Sequence, residues 1–72
     1  MPVVSVKIAR GRSIEQKRSL VKAVTDAVVS SIDVKPELVT VLIDEYDLEN
    51  IATGGESLSD KFGPGFGKKT GA

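Results

Sequence analysis

Proline is the second residue of the chain, and two arginines flanking a glycine, Arg10-Gly11-Arg12, close the apolar run that follows it. Initiator methionine is normally removed when the next residue is small, and proline qualifies. The mature chain then begins with a secondary amine, a base or nucleophile that needs no side chain. Chain-terminal amines titrate at about 7.7 to 8.0, and proline's is intrinsically more basic. An apolar pocket and nearby cations lower such a value, and Val3, Val4 and the arginines can supply both. A guanidinium binds a carboxylate through two parallel hydrogen bonds, so Arg10-Gly11-Arg12 adds a candidate carboxylate anchor to the candidate base at Pro2. Taken alone, Pro2 is simply a common second residue.

The residues that are missing narrow the chemistry further. The 72-residue chain has no histidine, cysteine or tryptophan. That removes the Ser-His-Asp triad, the thiolate nucleophile, the Cys/His zinc site and the redox pair. Acid-base work is left to Asp, Glu, Lys, Tyr46 or the amino terminus, with no metal and no cofactor expected. The acidic run Asp44-Glu45-Tyr46-Asp47-Leu48-Glu49 fits no cation-binding loop and reads as a solvated acidic turn. Tyr46 within it is a candidate proton donor or subunit contact.

Ten basic and ten acidic side chains cancel, but unevenly. Residues 1 to 22 carry Lys7, Arg10, Arg12, Lys17, Arg18 and Lys22 against Glu15 alone, whereas 23 to 60 carry Lys35 against nine acids. With three aromatics and no nucleic-acid motif, the basic third points to a small anionic ligand rather than to nucleic acid. No apolar span is long enough for a membrane and no leader is evident, so a cytoplasmic protein is expected.

The elements that must position these residues are legible in the pattern. Val4, Val6 and Ile8 alternate with Val3, Ser5, Lys7 and Ala9, which predicts a strand over 2 to 9. Ser13-Ile14-Glu15-Gln16 is a capping box that starts a helix at Ile14. The apolar positions Ile14, Leu20, Val21, Val24, Ala27, Val28 and Ile32 form its expected buried stripe. Lys35-Pro36 marks a turn, and Leu38-Val39-Thr40-Val41-Leu42-Ile43 reads as a strand buried on both faces. The fold class is therefore α/β, a β-α-β unit with parallel strands.

Gly54-Gly55 predicts a short C-terminal β-hairpin. Residues 1 to 60 form the domain, and the Gly/Lys-rich stretch from 61 to 72 reads as a flexible tail. Its glycines resemble a phosphate-binding loop, but position 62, where that loop needs a glycine, holds Phe62. Two strands are too few to stand alone and a chain this short buries little surface, so self-assembly is expected. Pro2 and Arg12 lie at opposite ends of a strand spanning roughly 25 Å. Curvature or a neighbouring subunit must bring them together.

The run from Pro2 to Lys17, with Gly-Arg-Ser-Ile-Glu-Gln-Lys at 11 to 17 as its most specific part, resembles the 4-oxalocrotonate tautomerase family, also called 2-hydroxymuconate tautomerases. The resemblance extends over about the first 58 positions, through Asp44-Glu45 to Gly54-Gly55-Glu56. It implies a hexamer, a trimer of dimers, and a cofactor-independent proton shuttle. Uncharged Pro2 takes a proton from an enol hydroxyl and returns it to a distant carbon of the dienol, giving the conjugated ketone. Arg12 falls on the arginine that holds a substrate carboxylate.

Thr40 falls on the second family arginine, which an adjacent subunit contributes to steady the carbonyl end of the substrate. Ile51 falls on the pocket-wall phenylalanine, and Ala9 on a wall leucine. Loss of a charged donor to a developing oxyanion costs roughly 3 to 4 kcal/mol. That leaves Arg10 to compensate, or selects a substrate with a single carboxylate. The rival readings are a 3-haloacrylate dehalogenase, for which Ala52 and Thr53 stand where an extra acid is expected, a subunit of a mixed hexamer whose other chain supplies the arginine, and a non-enzymatic oligomer that binds small anions.

Overall fold

The structure, a computed structural model, describes residues 1–62. Strand β1 (Val3–Ala9) leads through Gly11 into helix α1 (Ile14–Ile32), and a 3₁₀ turn at Pro36–Leu38 precedes strand β2 (Thr40–Tyr46). A second 3₁₀ turn at Leu48–Asn50 leads to the hairpin strands β3 (Ala52–Thr53) and β4 (Glu56–Ser57), and helix α2 (Leu58–Phe62) follows. Strands β1 and β2 pair in parallel, with Val3 opposite Thr40 and Ala9 opposite Tyr46. The hairpin forms its own two-stranded antiparallel sheet.

The capping box forms as the sequence specifies. The Gln16 amide donates to Ser13 Oγ at 3.1 Å while the Ser13 amide donates to Gln16 Oε1 at 2.9 Å, satisfying two amides that the first turn otherwise leaves open. Helix α1 closes on Asp33, whose left-handed φ of 59° turns its amide back to the Val29 carbonyl. At the hairpin, Gly54 and Gly55 both have positive φ, 65° and 86°, the geometry of the tight turns that match strand twist.

Three elements differ from the sequence reading. Strand β2 starts two residues later than Leu38, because Pro36 at the first position of a 3₁₀ turn draws Glu37 and Leu38 into it. It also runs past Ile43 to Tyr46, so Asp44 and Glu45 lie in a strand and not in an acidic turn. Their carboxylates are met by cations: Lys7 reaches Asp44 at 3.3 Å and Lys17 reaches Glu45 at 3.0 Å. The expected tail loses its first two residues to α2, which ends at Phe62. Residues 63 to 72, including the loop-like glycines, lie outside the described residues.

Helix α1 is rolled relative to the expected stripe. Its half-buried positions are Lys17, Leu20, Val21, Val24, Thr25, Val28 and Val29, while Ile14 and Ile32 are about 60% exposed. The roll puts Lys17 over the sheet, where the partly buried Lys17–Glu45 pair fastens the helix to β2. This face of the sheet carries Val4, Val6 and Ile8 with Val41, Ile43 and Glu45, all half-buried. The opposite face carries Val3, Ser5, Lys7 and Ala9 with Thr40, Leu42, Asp44 and Tyr46. No described element covers Val3 or Leu42 there, at 58% and 50% exposure. Strand β2 is thus covered on one face only within a single chain. Among the described residues the only buried apolar side chain is Leu48, and even it is 8% exposed, so the chain encloses almost no core of its own.

Candidate active site

The parallel pairing sorts the candidate residues into two groups. At the start of β1, the Thr40 amide donates to the Pro2 carbonyl at 3.0 Å, so Pro2 and Thr40 are neighbours across the paired strands β1 and β2. At the far end, the Arg10 amide donates to the Tyr46 carbonyl at 2.8 Å and extends the ladder beyond Ala9. Gly11 then takes a φ of 126°, a backbone conformation for which side chains are poorly suited. The bend separates Arg10 from Arg12 and sends them to different surroundings.

Arg10 Nε donates to Asp47 Oδ1 at 2.7 Å, with both side chains about half exposed. Its charge is therefore partnered within the chain. Arg12 is exposed, and its side chain has no hydrogen bond or ion pair with another described residue. Arg12 is the guanidinium with no partner among the described residues, while Arg10 keeps its two terminal NH2 groups open.

Ala9 and Ile51, far apart in sequence, meet in one concavity of about 350 Å³, which Lys7, Ile8, Tyr46, Asn50 and Ala52 also line. Ile51 is held there by the 3₁₀ turn before it and by its carbonyl, which accepts from the Leu58 amide at 2.8 Å. Across the sheet's open face, Lys7 Nζ donates to Tyr46 Oη at 3.2 Å and to Asp44 Oδ2 at 3.3 Å. The ammonium also stands 5.6 Å from the centre of the Tyr46 ring, within cation–π range. The Tyr46 hydrogen bond first, and that to Asp44 second, hold the Lys7 pKa above its ordinary value. Pattern reading missed Lys7 as a lining residue. The only available signal was its place on the same strand face as Ala9.

The structure brings Ala9 and Ile51 together, with Arg10 and Arg12 at the same end of β1. It leaves Pro2 and Thr40 at the other end. A second concavity of about 340 Å³ along α1, lined by Ile14, Lys17, Arg18, Val21 and Lys22, includes none of the candidates. Among the described residues no group of three or more His, Cys, Asp or Glu side chains is arranged to hold a metal ion. None of their helices is long and apolar enough to cross a membrane.

Known proteins similar to this chain identify its family. The sequence pattern of the tautomerase enzyme family matches residues 2–61. The chain belongs to the tautomerase family.

A probable tautomerase from Halalkalibacterium halodurans is 43% identical over 61 residues, 85% of this chain and 100% of that one. The 2-hydroxymuconate tautomerase of Bacillus subtilis is 43% identical over 60 residues, 83% of this chain and 97% of its own. Among solved structures, a 4-oxalocrotonate tautomerase isozyme from Methylibium petroleiphilum superposes with a TM-score of 0.82 at 37% identity, covering 83% of this chain and 94% of that one. A heterohexamer 4-oxalocrotonate tautomerase from Chloroflexus aurantiacus reaches 0.80 at 30% identity, covering 83% and 97%. As a tautomerase, the chain is an isomerase of the keto-enol type. Its β-α-β unit with a terminal hairpin is the tautomerase fold.

Proposed function

We propose that this tautomerase converts 2-hydroxydienoate acids such as 2-hydroxymuconate to conjugated 2-oxo acids, with Pro2 as base and then acid and Arg12 as the carboxylate anchor. The observation that carries the reading is the exposed, unpartnered Arg12 guanidinium beyond the concavity walled by Ala9 and Ile51. The relative from Bacillus subtilis, named for that substrate and aligned over nearly its whole length, supports the substrate class.

Once Met1 is removed, the Pro2 nitrogen is an uncharged secondary amine with a free lone pair. It accepts the proton of the 2-hydroxyl group. The electron pair released from the O–H bond becomes the carbonyl π bond and shifts through the diene. The prolinium then delivers its proton to the distant carbon, so that one O–H bond is exchanged for one C–H bond and no cofactor is consumed. Arg12, bound to the carboxylate nearest that carbon, draws electron density towards the end that is protonated. Such positioned proton transfer contributes about 10² to 10⁴ in rate.

Because Pro2 and Arg12 flank opposite ends of β1, the complete site is formed between chains. The concavity of one chain receives the amino terminus of another. The uncovered sheet face and the near absence of a buried core within one chain support a hexameric assembly of this kind.

The test is the ultraviolet decay of 2-hydroxymuconate, with protein whose intact mass confirms loss of Met1, measured beside Pro2→Ala. Turnover that falls by at least 100-fold in the variant is expected. Decay absent from the wild type with Met1 gone would sink the homo-oligomeric reading. It would direct attention to a mixed assembly in which another chain supplies the arginine that Thr40 replaces.

A further inference from the structure

Lys7 and Tyr46 both line the concavity, and each keeps one N–H or O–H group with no acceptor among the described residues. The Lys7 ammonium has three N–H groups. Tyr46 Oη and Asp44 Oδ2 accept two of them, at 3.2 and 3.3 Å, and the third is unassigned. The Tyr46 oxygen receives the Lys7 bond, so its own O–H points elsewhere, and no described side chain or backbone group accepts it. The ammonium polarises the phenol and strengthens it as a donor. No carboxylate lines the concavity, and its other walls include Ala9 and Ile51. An ammonium N–H and a phenol O–H converging in such a place fit adjacent anionic and carbonyl oxygens.

We propose that Lys7 and Tyr46 bind the 2-oxo acid end of the substrate, the adjacent carboxylate and carbonyl oxygens, and so supply the donors that Thr40 cannot. The inference rests on the tautomerase reading above and extends it to the substrate end opposite the one held by Arg12. Asp44 competes with the ligand for the Lys7 ammonium, and its Oδ2 is steadied by the Ser5 hydroxyl at 3.3 Å. Retained there, Lys7 stays aimed along the sheet face.

Tyr46 is the only tyrosine and the chain has no tryptophan, so intrinsic fluorescence reports on this concavity directly. The experiment is titration of the assembled, Met1-free protein with 2-oxoglutarate, a stable 2-oxo acid, following tyrosine emission. The expected result is a saturable change, with Kd raised ten- to a hundredfold by Lys7→Gln, restored by Lys7→Arg and lowered by Asp44→Asn. Pro2→Ala should lose turnover of 2-hydroxymuconate yet still show the saturable change, so loss of the Pro2 chemistry and loss of this subsite are read separately. An emission that does not change, or a Kd in Lys7→Gln within twofold of wild type, overturns the proposal whether or not 2-hydroxymuconate is turned over.

Discussion

The amide of Thr40 donates to the carbonyl of Pro2 at 3.0 Å, one rung before the β1–β2 pairing begins. This bond holds Pro2 through its carbonyl and leaves its nitrogen out of the ladder. Met1, 79% exposed, hangs off the end of the ladder, so its removal would disturb no sheet hydrogen bond. In the proposed mechanism, a base placed by its own carbonyl would keep its position while the nitrogen gains and loses a proton.

Arg12 is exposed and unpartnered among the described residues, so truncating it removes no interaction within the chain. Arg12→Ala should lower kcat/KM for 2-hydroxymuconate roughly 10- to 100-fold, the worth of a hydrogen bond to a charged group. The melting temperature should stay unchanged. Arg12→Lys should recover only part of the loss, because an ammonium cannot make the two parallel bonds. Steady-state kinetics beside a melting curve checks both.

Gly11 links the two arginines at a φ of 126°. Replacement by alanine forces strain there of about 1 to 3 kcal/mol and shifts Arg12 relative to the strand. Gly11→Ala should therefore lower the urea midpoint and raise KM together, whereas Arg12→Ala leaves the urea midpoint unchanged.

Ser13→Ala removes the hydroxyl that accepts from Gln16. A lost cap of this kind costs about 1 kcal/mol, which corresponds to a fall of roughly 4 to 8 °C in a domain of this size. Differential scanning calorimetry measures it. Activity per folded protein should be retained.

Only Leu48 is buried among the apolar side chains described, so folding should be coupled to association. The melting temperature should rise with protein concentration. Scans across a hundredfold dilution series read the effect, and a melting temperature constant over that range would show that the chain stands alone.

Tyr46 and Asp44 raise the Lys7 pKa. A raised folded-state value contributes stability that is complete below the unfolded pKa and disappears as pH climbs through the folded one. That window lies above about pH 10. The stability difference between wild type and Lys7→Gln should therefore be flat from about pH 6 to 9 and shrink only in strong alkali. Urea unfolding at several pH values provides the check.

Features decided within a few residues were legible from the chain itself. The capping box at Ser13, the Gly54-Gly55 turn, the alternation of Val4, Val6 and Ile8, and the Gly-Arg-Ser-Ile-Glu-Gln-Lys element each depend on local geometry or local identity. The helix stripe was legible only in outline. Periodicity counts apolar side chains, and it excluded Lys17, whose ammonium is brought over the sheet by a partner 28 positions away. The same reason hid the end of β2, because Asp44 and Glu45 look like turn residues until Lys7 and Lys17 are opposite them.

By itself, then, the sequence determined the strand-helix-strand-hairpin order, the parallel unit, and the places of Pro2 before the first strand and Arg12 after it. These follow from residue types and short spacings. Tertiary structure alone decided that Arg10 Nε is bonded to Asp47 while Arg12 has no partner among the described residues, that Ala9 and Ile51 share a concavity with Lys7 and Tyr46, and that Pro2 lies beside Thr40 at the opposite end. The register of two strands separated by a whole helix sets each of those pairings, and no local pattern encodes a register over that distance.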